Sequence, residues 1–331
     1  MSNIAERNAA LQSDEGVGSV ARKESDVRVS IVVPHLGDDT LFEDSLVSVL
    51  ENRPADSEVW VSHDGRYDDP FDLSDEVQFV TSKGGSLPEL IAAAADVARG
   101  RFIHVIGGGV RATEGWVDSA LEKFEHDDAA AVSPIARSTV NGTITSAGWT
   151  SSASRLAAPV AAGRMKLGRR DAASIRGVCL TASFWRREEL RDACQALPTT
   201  SASAAQFGWS RLLSQHGWRC LLAEESNVVA DESMLGLSPS RIQGATLRSL
   251  EAALEGDSFA GSAMSVGIAA LRNLLRPRVW GEITGEAMSL VLGSSVVRLL
   301  QPQAIRSPED TVQTIRLPQA TVQAPMLRRA A

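Results

Sequence analysis

FIHVIGGGVRATEGW, Phe102 to Trp116, ends an apolar run in three glycines and follows it with a tryptophan-bearing segment. The run around it, RFIHVIG, reads as a strand, and EGWVDSALEKFEHD reads as a helix. Strand, glycine turn and helix is a common way to hold a phosphate, because N–H groups at a helix start point at the anion. Gly107, Gly108 and Gly109, with Val110, Arg111 and Ala112, also satisfy Gly-x-Gly-x-x-Gly/Ala, the dinucleotide fingerprint. That fingerprint belongs on the first strand-to-helix turn, and this one follows about the fourth strand. Asp127 and Asp128 lie about 20 residues on, the usual spacing for a ribose contact, but in a helix-end turn rather than at a strand tip. A plain turn without a ligand competes with both readings.

Upstream, VRVSIVVP, residues 27–34, is a β-branched run closed by proline and reads as a buried strand. TLFEDSLVSVLEN follows as a helix, with Thr40 and Glu43 as a capping box and Phe42, Leu46, Val49 and Leu50 as its apolar stripe. EVWVSH is a second strand, DGRYDDP a turn and EVQFVTS a third strand. SLPELIAAAADVARG is a helix with Ser86 and Glu89 as a second capping box and Gly100 as terminator. Downstream, AAVSPI is another strand. STVNGTITSAGWT then reads as a hairpin about Asn141-Gly142, and the stretch to Gly168 as loop. IRGVCLTASFWRREELRDA reads as a strand running into a helix. FGWSRLLSQHGWRCLLAEESNVV reads as a helix, a stop at Gly217 and a strand. From Asp231 to Leu300 the pattern is helical.

Alternating strands and helices imply an α/β protein with helices on both faces of a doubly wound sheet. In such sheets the C-terminal strand ends feed one crevice. Pro34 to Asp39, His63 to Asp69, Thr81 to Ser86 and Gly107 to Gly109 are expected to reach it.

The chain has 331 residues, 44% hydrophobic and 22% charged, enough for a sizeable core. A net charge of -8 and only 5% aromatic residues argue against nucleic acid as the main partner. Cys179, Cys194 and Cys220 are odd in number and form no Cys-x-x-Cys pair, so neither a disulfide framework nor a zinc site is expected. Residues 1–26 have no apolar core, and no apolar run reaches the ~18 residues of a membrane span. A cytoplasmic protein is expected. Arg272, Arg276 and Arg278 lie among Leu274, Leu275, Val279 and Trp280, a pattern that would suit peripheral contact with the inner face of a membrane. Packing against the α/β part, or self-association, is the plainer account.

The order of these signals resembles the family 2 glycosyltransferases. VSIVVPHLGDDTLFEDSLVSVL is similar to that family's opening strand, proline and helix. EVWVSHDGRYDD resembles its second strand, usually ended by Asp-Asp-Gly-Ser. LIAAAADVARGRFIHVIGGGVRATEGWVDSALEKF resembles its helix, Ala-Arg-Gly turn, strand, Asp-x-Asp loop and Gly-Trp helix. GWSRLLSQHGWRCLLAEESNVV resembles its later helix and strand. The resemblance implies the GT-A fold: a mixed, doubly wound sheet with helices on both faces, here with a C-terminal helical extension. The resemblance marks 27–232 as a glycosyltransferase-like domain, the helical pattern marks 233–300 as an extension, and composition marks polar 1–26 as a disordered tail and Pro/Gln-rich 301–331 as a flexible one. The resemblance implies a nucleotide-diphosphate sugar donor and Mn2+ or Mg2+, with a glycan or lipid-linked acceptor.

The chemistry does not carry over with the fold. The two acids of the Asp-x-Asp loop, which would hold the metal, fall at Gly107 and Gly109, and a frequent third at Val110. The base of the Glu-Asp pair falls at Ala205 and Gln206, neither of which can take a proton. A late metal-binding histidine falls near Ala230 or Asp231. The nucleoside-contacting acid pair becomes His63-Asp64. Glu114, Asp38, Asp39, Asp68 or Asp69 could substitute, or backbone N–H groups with Arg111 could hold the diphosphate without metal. The candidate binding residues are therefore Pro34, His35, His63, Asp64, Gly107, Gly108, Gly109 and Arg111. No catalytic residue and no metal ligand is assigned. Sugar transfer and a non-catalytic sugar-nucleotide or glycan-binding role as a partner of such enzymes both stand open on the sequence.

Overall fold

The computed structural model describes residues 27–309 apart from 71, 293 and 294. The expected N-terminal tail and residues 310–331 lie outside the described residues. In chain order the first half comprises β1 (Val29–Pro34), α1 (Asp39–Asn52), β2 (Ser57–His63), β3 (Gln78–Thr81), α2 (Leu87–Val97) and β4 (Phe102–Ile106). β5 (Arg111–Ala112), α3 (Asp118–Glu122), β6 (Ala129–Arg137), β7 (Ile144–Ser146), β8 (Trp149–Ser152) and β9 (Arg155–Pro159) follow. Next come α4 (Asp171–Ser174), β10 (Ala182–Arg186), α5 (Arg187–Ala196), α6 (Ala202–Gln215) and β11 (Arg219–Val229). The chain continues through α7 (Arg241–Glu255), α8 (Phe259–Arg272) and α9 (Trp280–Leu292).

β1 to β4 are parallel, in the order β3-β2-β1-β4, and every residue of β1 and β4 is buried. The chain steps from β1 outward to β2 and β3, then back past β1 to β4. Right-handed crossovers therefore put α1 and α2 on opposite faces. α2, α5 and α6 touch one another on one side, while α1 contacts β5 and α3 contacts β11 on the other. The expected alternation breaks at β10, which runs antiparallel between β4 and β6 and makes the sheet mixed. β11 returns parallel to β6 and carries β5 at the sheet edge.

Local expectations differ from the structure in several places. Asp38, not Thr40, caps α1: its Oδ1 accepts from Leu41 N–H at 3.0 Å. Asp caps as well as any residue, so the helix starts earlier. The Ser86–Glu89 capping box of α2 is present. Gly100 does not terminate that helix in a left-handed turn; a Cβ there would lie 2.6 Å from Ser30 N, so the glycine serves a close approach to β1. The helix expected over 114–127 is only one turn of α and one of 3-10 geometry, because Trp116 turns into the core at 1% exposure. The expected two-residue turn at Asn141-Gly142 is a wider loop from Ser138 to Thr143, in which only Gly142 takes a positive φ, 68°. The stretch to Gly168 is not all loop: β8 and β9 pair there, anchored by fully buried Trp149.

The C-terminal helices dock on α6 through α7. α7 and α9 meet backbone to backbone: a Cβ on Gly244 would run into the Glu282 carbonyl, and one on Gly285 into that of Arg241. The buried pair Arg248–Glu286 crosses this contact at 2.8 Å, and Arg155 on β9 pairs with Glu282 of α9 at 2.9 Å. Burial outweighs the arginine and lifts the Glu282 carboxyl to about 7. The first residues of the expected C-terminal tail are packed. Ile305 is buried, and Trp218 Nε1 donates to the Arg306 carbonyl at 2.8 Å.

Candidate functional site

The sheet's order reverses between β1 and β4, so the crevice outside their carboxyl ends is where an open α/β sheet binds ligands. Two groups of residues flank it. Pro34 ends β1, His35 and Asp39 follow it, and His63 and Asp64 end β2. Gly107 to Gly109 follow β4.

The glycine loop is closed. Gly107 N–H donates to Thr181 O at 2.9 Å, Gly109 N–H to Leu41 O at 2.9 Å and Val110 N–H to Gly107 O at 3.0 Å. Ser45 Oγ donates to Gly107 O at 3.1 Å, tying the loop to α1. The space where side chains would stand is also taken. A Cβ on Gly107 would meet Thr181 Cγ2 at 2.6 Å, and one on Gly109, at φ +82°, would meet Met234 Sδ and Cε at 2.7 Å. Thr181 Oγ1 in turn donates to Met234 O at 2.7 Å. The N–H groups of Gly107, Gly109 and Val110 are thus not free to cradle a phosphate, and a thioether is a poor ligand for a hard cation.

Of the candidate substitute acids, Asp38, Asp39 and Asp69 have partners, as do the neighbouring Asp64 and Asp231. Asp38 caps α1, and Asp39 Oδ1 lies 2.7 Å from His35 Nε2. Asp64 accepts from Arg66 N–H at 3.1 Å and Asp69 from Leu73 N–H at 2.6 Å. Asp231 accepts the Thr139 hydroxyl at 3.1 Å. Asp68 and Glu114 are exposed. Among the described residues, no group of three or more His, Cys, Asp or Glu side chains is placed to hold a metal ion. Ala205 is buried, and Gln206 Oε1 accepts from Leu180 N–H at 3.0 Å in the core. The position that resemblance pairs with a base thus fastens the segment leading to Thr181.

The β1–β2 corner is built differently. His35 is 7% exposed and sits between Phe42 and Tyr67, with ring centroids 5.0 and 4.8 Å away. With Nε2 engaged by Asp39, its Nδ1 is buried without a partner, as are the Tyr67 hydroxyl and Ser62 Oγ. Burial, with the carboxylates of Asp69, Glu43 and Asp39, pushes the Tyr67 phenol up to about 12. His63 is half-buried, and its pKa is lowered by burial and by His35, against an opposing pull from Asp64. Gly65 N–H donates to its Nδ1 at 3.2 Å, so the neutral ring carries its proton on Nε2, a free donor.

Arg111 stands apart from His63 and Asp64. It is exposed on β5 and lines a groove along α1 with Glu43, Asp44, Val47, Glu51 and Leu73. Tyr67, Thr181 and Met234 were not singled out from the sequence. Tyr67, the chain's one tyrosine, had a signal in the turn DGRYDD; the other two arrive from distant segments and carried none. All three cysteines are free, and burial raises each thiol's pKa, so none is poised as a nucleophile.

No family model and no curated protein sequence matches the chain. Solved structures do. TarS residues 1-349 from S. aureus, in complex with UDP, align with a TM-score of 0.51 at 15% identity, covering 87% of this chain and 91% of that one. GalNAc-T7 with UDP, GalNAc and Mn2+ aligns with a TM-score of 0.51 at 14% identity, over 88% of this chain and 57% of that one. The chain has the glycosyltransferase fold of the GT-A type.

Proposed function

We propose that this protein uses a glycosyltransferase fold to hold a nucleoside diphosphate, or its sugar, at the β1–β2 end of the crevice, and that it does not transfer the sugar by a metal-assisted route. One observation carries this: the loop after β4 is filled by Thr181 and Met234, and the N–H groups of Gly107, Gly109 and Val110 are spent. The residues there do not fit a divalent ion, so no step is assigned to one. His63 Nε2–H supplies a donor and Asp64 an acceptor beside the β1 tip, a pairing suited to a nucleoside edge. The His35–Asp39 pair is not a base in this arrangement, because the ring's other nitrogen is shut in. The fold likeness to proteins solved with UDP supports the ligand class, and the order of motifs supports a family 2 origin. In this reading 27–232 is the nucleotide-binding unit and 233–300 its helical extension. A cytoplasmic setting suits three unpaired cysteines.

Thermal denaturation with UDP, GDP and their sugars, in EDTA and in Mn2+, tests the proposal. At saturating nucleotide the melting temperature should rise by about 5 °C, equally in both buffers. Stabilisation that needs Mn2+, or release or transfer of the sugar, would overturn the non-catalytic reading in favour of an active transferase. No stabilisation by any nucleotide would overturn the binding itself.

A further inference from the structure

Helix α8 is apolar on two opposite faces. Its sequence, FAGSAMSVGIAALR, holds one charged residue, Arg272. Ser262, Val266 and Ala269, at helical spacing, form the buried face, and Val266 packs with Val279 and Ile283. The opposite stripe follows the same spacing in solvent. Met264 is 66% exposed, Ile268 38%, Leu271 74% and, in the turn beyond, Leu274 61% and Leu275 91%. A helix that is hydrophobic all round belongs in a core or in lipid, and a contiguous exposed apolar stripe marks a contact surface.

Charge decides what covers it. Between Ser258 and Gly281 the chain has Arg272, Arg276 and Arg278 and no acidic residue, in a protein of net charge -8. All three arginines are exposed, and among the described residues none is in an ion pair. They bracket the most exposed leucines, and half-buried Trp280 borders them. Leucines flanked by unpaired arginines and a tryptophan fit an interface where aliphatic groups enter acyl chains while guanidinium groups meet phosphates. No helix among the described residues is long and apolar enough to cross a membrane.

We propose that the surface from Met264 to Trp280 docks the protein on an anionic bilayer, with α8 lying flat in the headgroup layer. Asp257, at the other end of α8, stays in water. Flotation of the full-length chain with phosphatidylcholine vesicles, with and without phosphatidylglycerol, tests this. Binding is expected only with phosphatidylglycerol present and should weaken as salt rises. Replacing Arg272, Arg276 and Arg278 with Gln should weaken it on the order of 100-fold, at about fivefold for each arginine. Leu271→Ser with Leu275→Ser should abolish it while leaving the melting temperature unchanged, because both side chains already face solvent. Absence of vesicle binding would overturn the proposal. So would equal binding to both vesicle types, or a concentration-dependent dimer in sedimentation that the leucine substitutions abolish.

Discussion

The two sides of the crevice are finished in opposite ways. After β4 each of three loop N–H groups, from Gly107, Gly109 and Val110, has a carbonyl, and Thr181 and Met234 occupy the remaining space. After β1 and β2, three buried polar atoms, His35 Nδ1, Ser62 Oγ and the Tyr67 hydroxyl, have no partner, and His63 keeps a free donor. Buried polar groups are normally satisfied. Where they are satisfied within the chain, the segment is structural. Unpartnered atoms also lie in the closed core, at His104 Nε2 and Trp116 Nε1; at the strand tips, beside the crevice, a ligand could partner them. On the proposed reading, the contrast separates a packed end after β4 from a binding end after β1 and β2.

Substitution at Gly107 should give the largest effect. Gly107→Asp places a Cβ 2.6 Å from Thr181 Cγ2 and buries a carboxylate, so urea unfolding should show a loss of about 3 kcal/mol or more. Adding Thr181→Gly should recover part of it. A neutral Gly107→Asp that gained Mn2+ binding would break the contrast, because the loop would then be an open site lacking only its acid.

Acid should reveal how tightly the β4 side is sealed. His104 is fully buried on β4, stacked on Phe184 at 3.6 Å, and burial holds its pKa down to about 3. The folded state therefore binds fewer protons than the unfolded chain. The stability tied to a neutral His104 is complete above the usual histidine pKa near 6.5 and is lost as pH falls toward about 3, at about 1.4 kcal/mol per pH unit. NMR of the ring should show no titration between roughly pH 8 and pH 4. A midpoint near 6 would mean that solvent reaches β4.

Smaller effects should divide along the same line. His63→Ala should weaken nucleotide binding by about tenfold through one lost hydrogen bond, whereas Arg111→Ala, in the separate groove, should leave affinity unchanged; calorimetry compares them. The reverse order would move the ligand onto α1. Tyr67→Phe removes a hydroxyl that has no partner, so stability should change by less than about 0.5 kcal/mol or rise slightly. A larger loss by thermal melt would show that the hydroxyl is engaged and the corner already satisfied.

Much of this arrangement was legible in the sequence. The apolar runs of β1 and β4, the capping box of α2 and the Gly217 stop are local signals, and the structure reproduces them. The resemblance implied a mixed sheet, but that β10 is the strand that reverses was not legible, since strand direction is set by pairing partners far along the chain. The glycine loop shows the same limit. Three glycines advertise conformational freedom, and only the arrival of Thr181 and Met234, from residues 72 and more positions later, decides that the freedom is used for packing. His35 and His63 were identifiable as strand-tip residues, while their unpaired atoms depend on how Tyr67 folds over them.

Titration of UDP and GDP into the full-length protein by calorimetry, once in EDTA and once in Mn2+, tests the central claim most directly. The filled loop predicts one dissociation constant in both buffers, weakened by His63→Ala in each. Binding confined to Mn2+, or insensitive to His63, would contradict it.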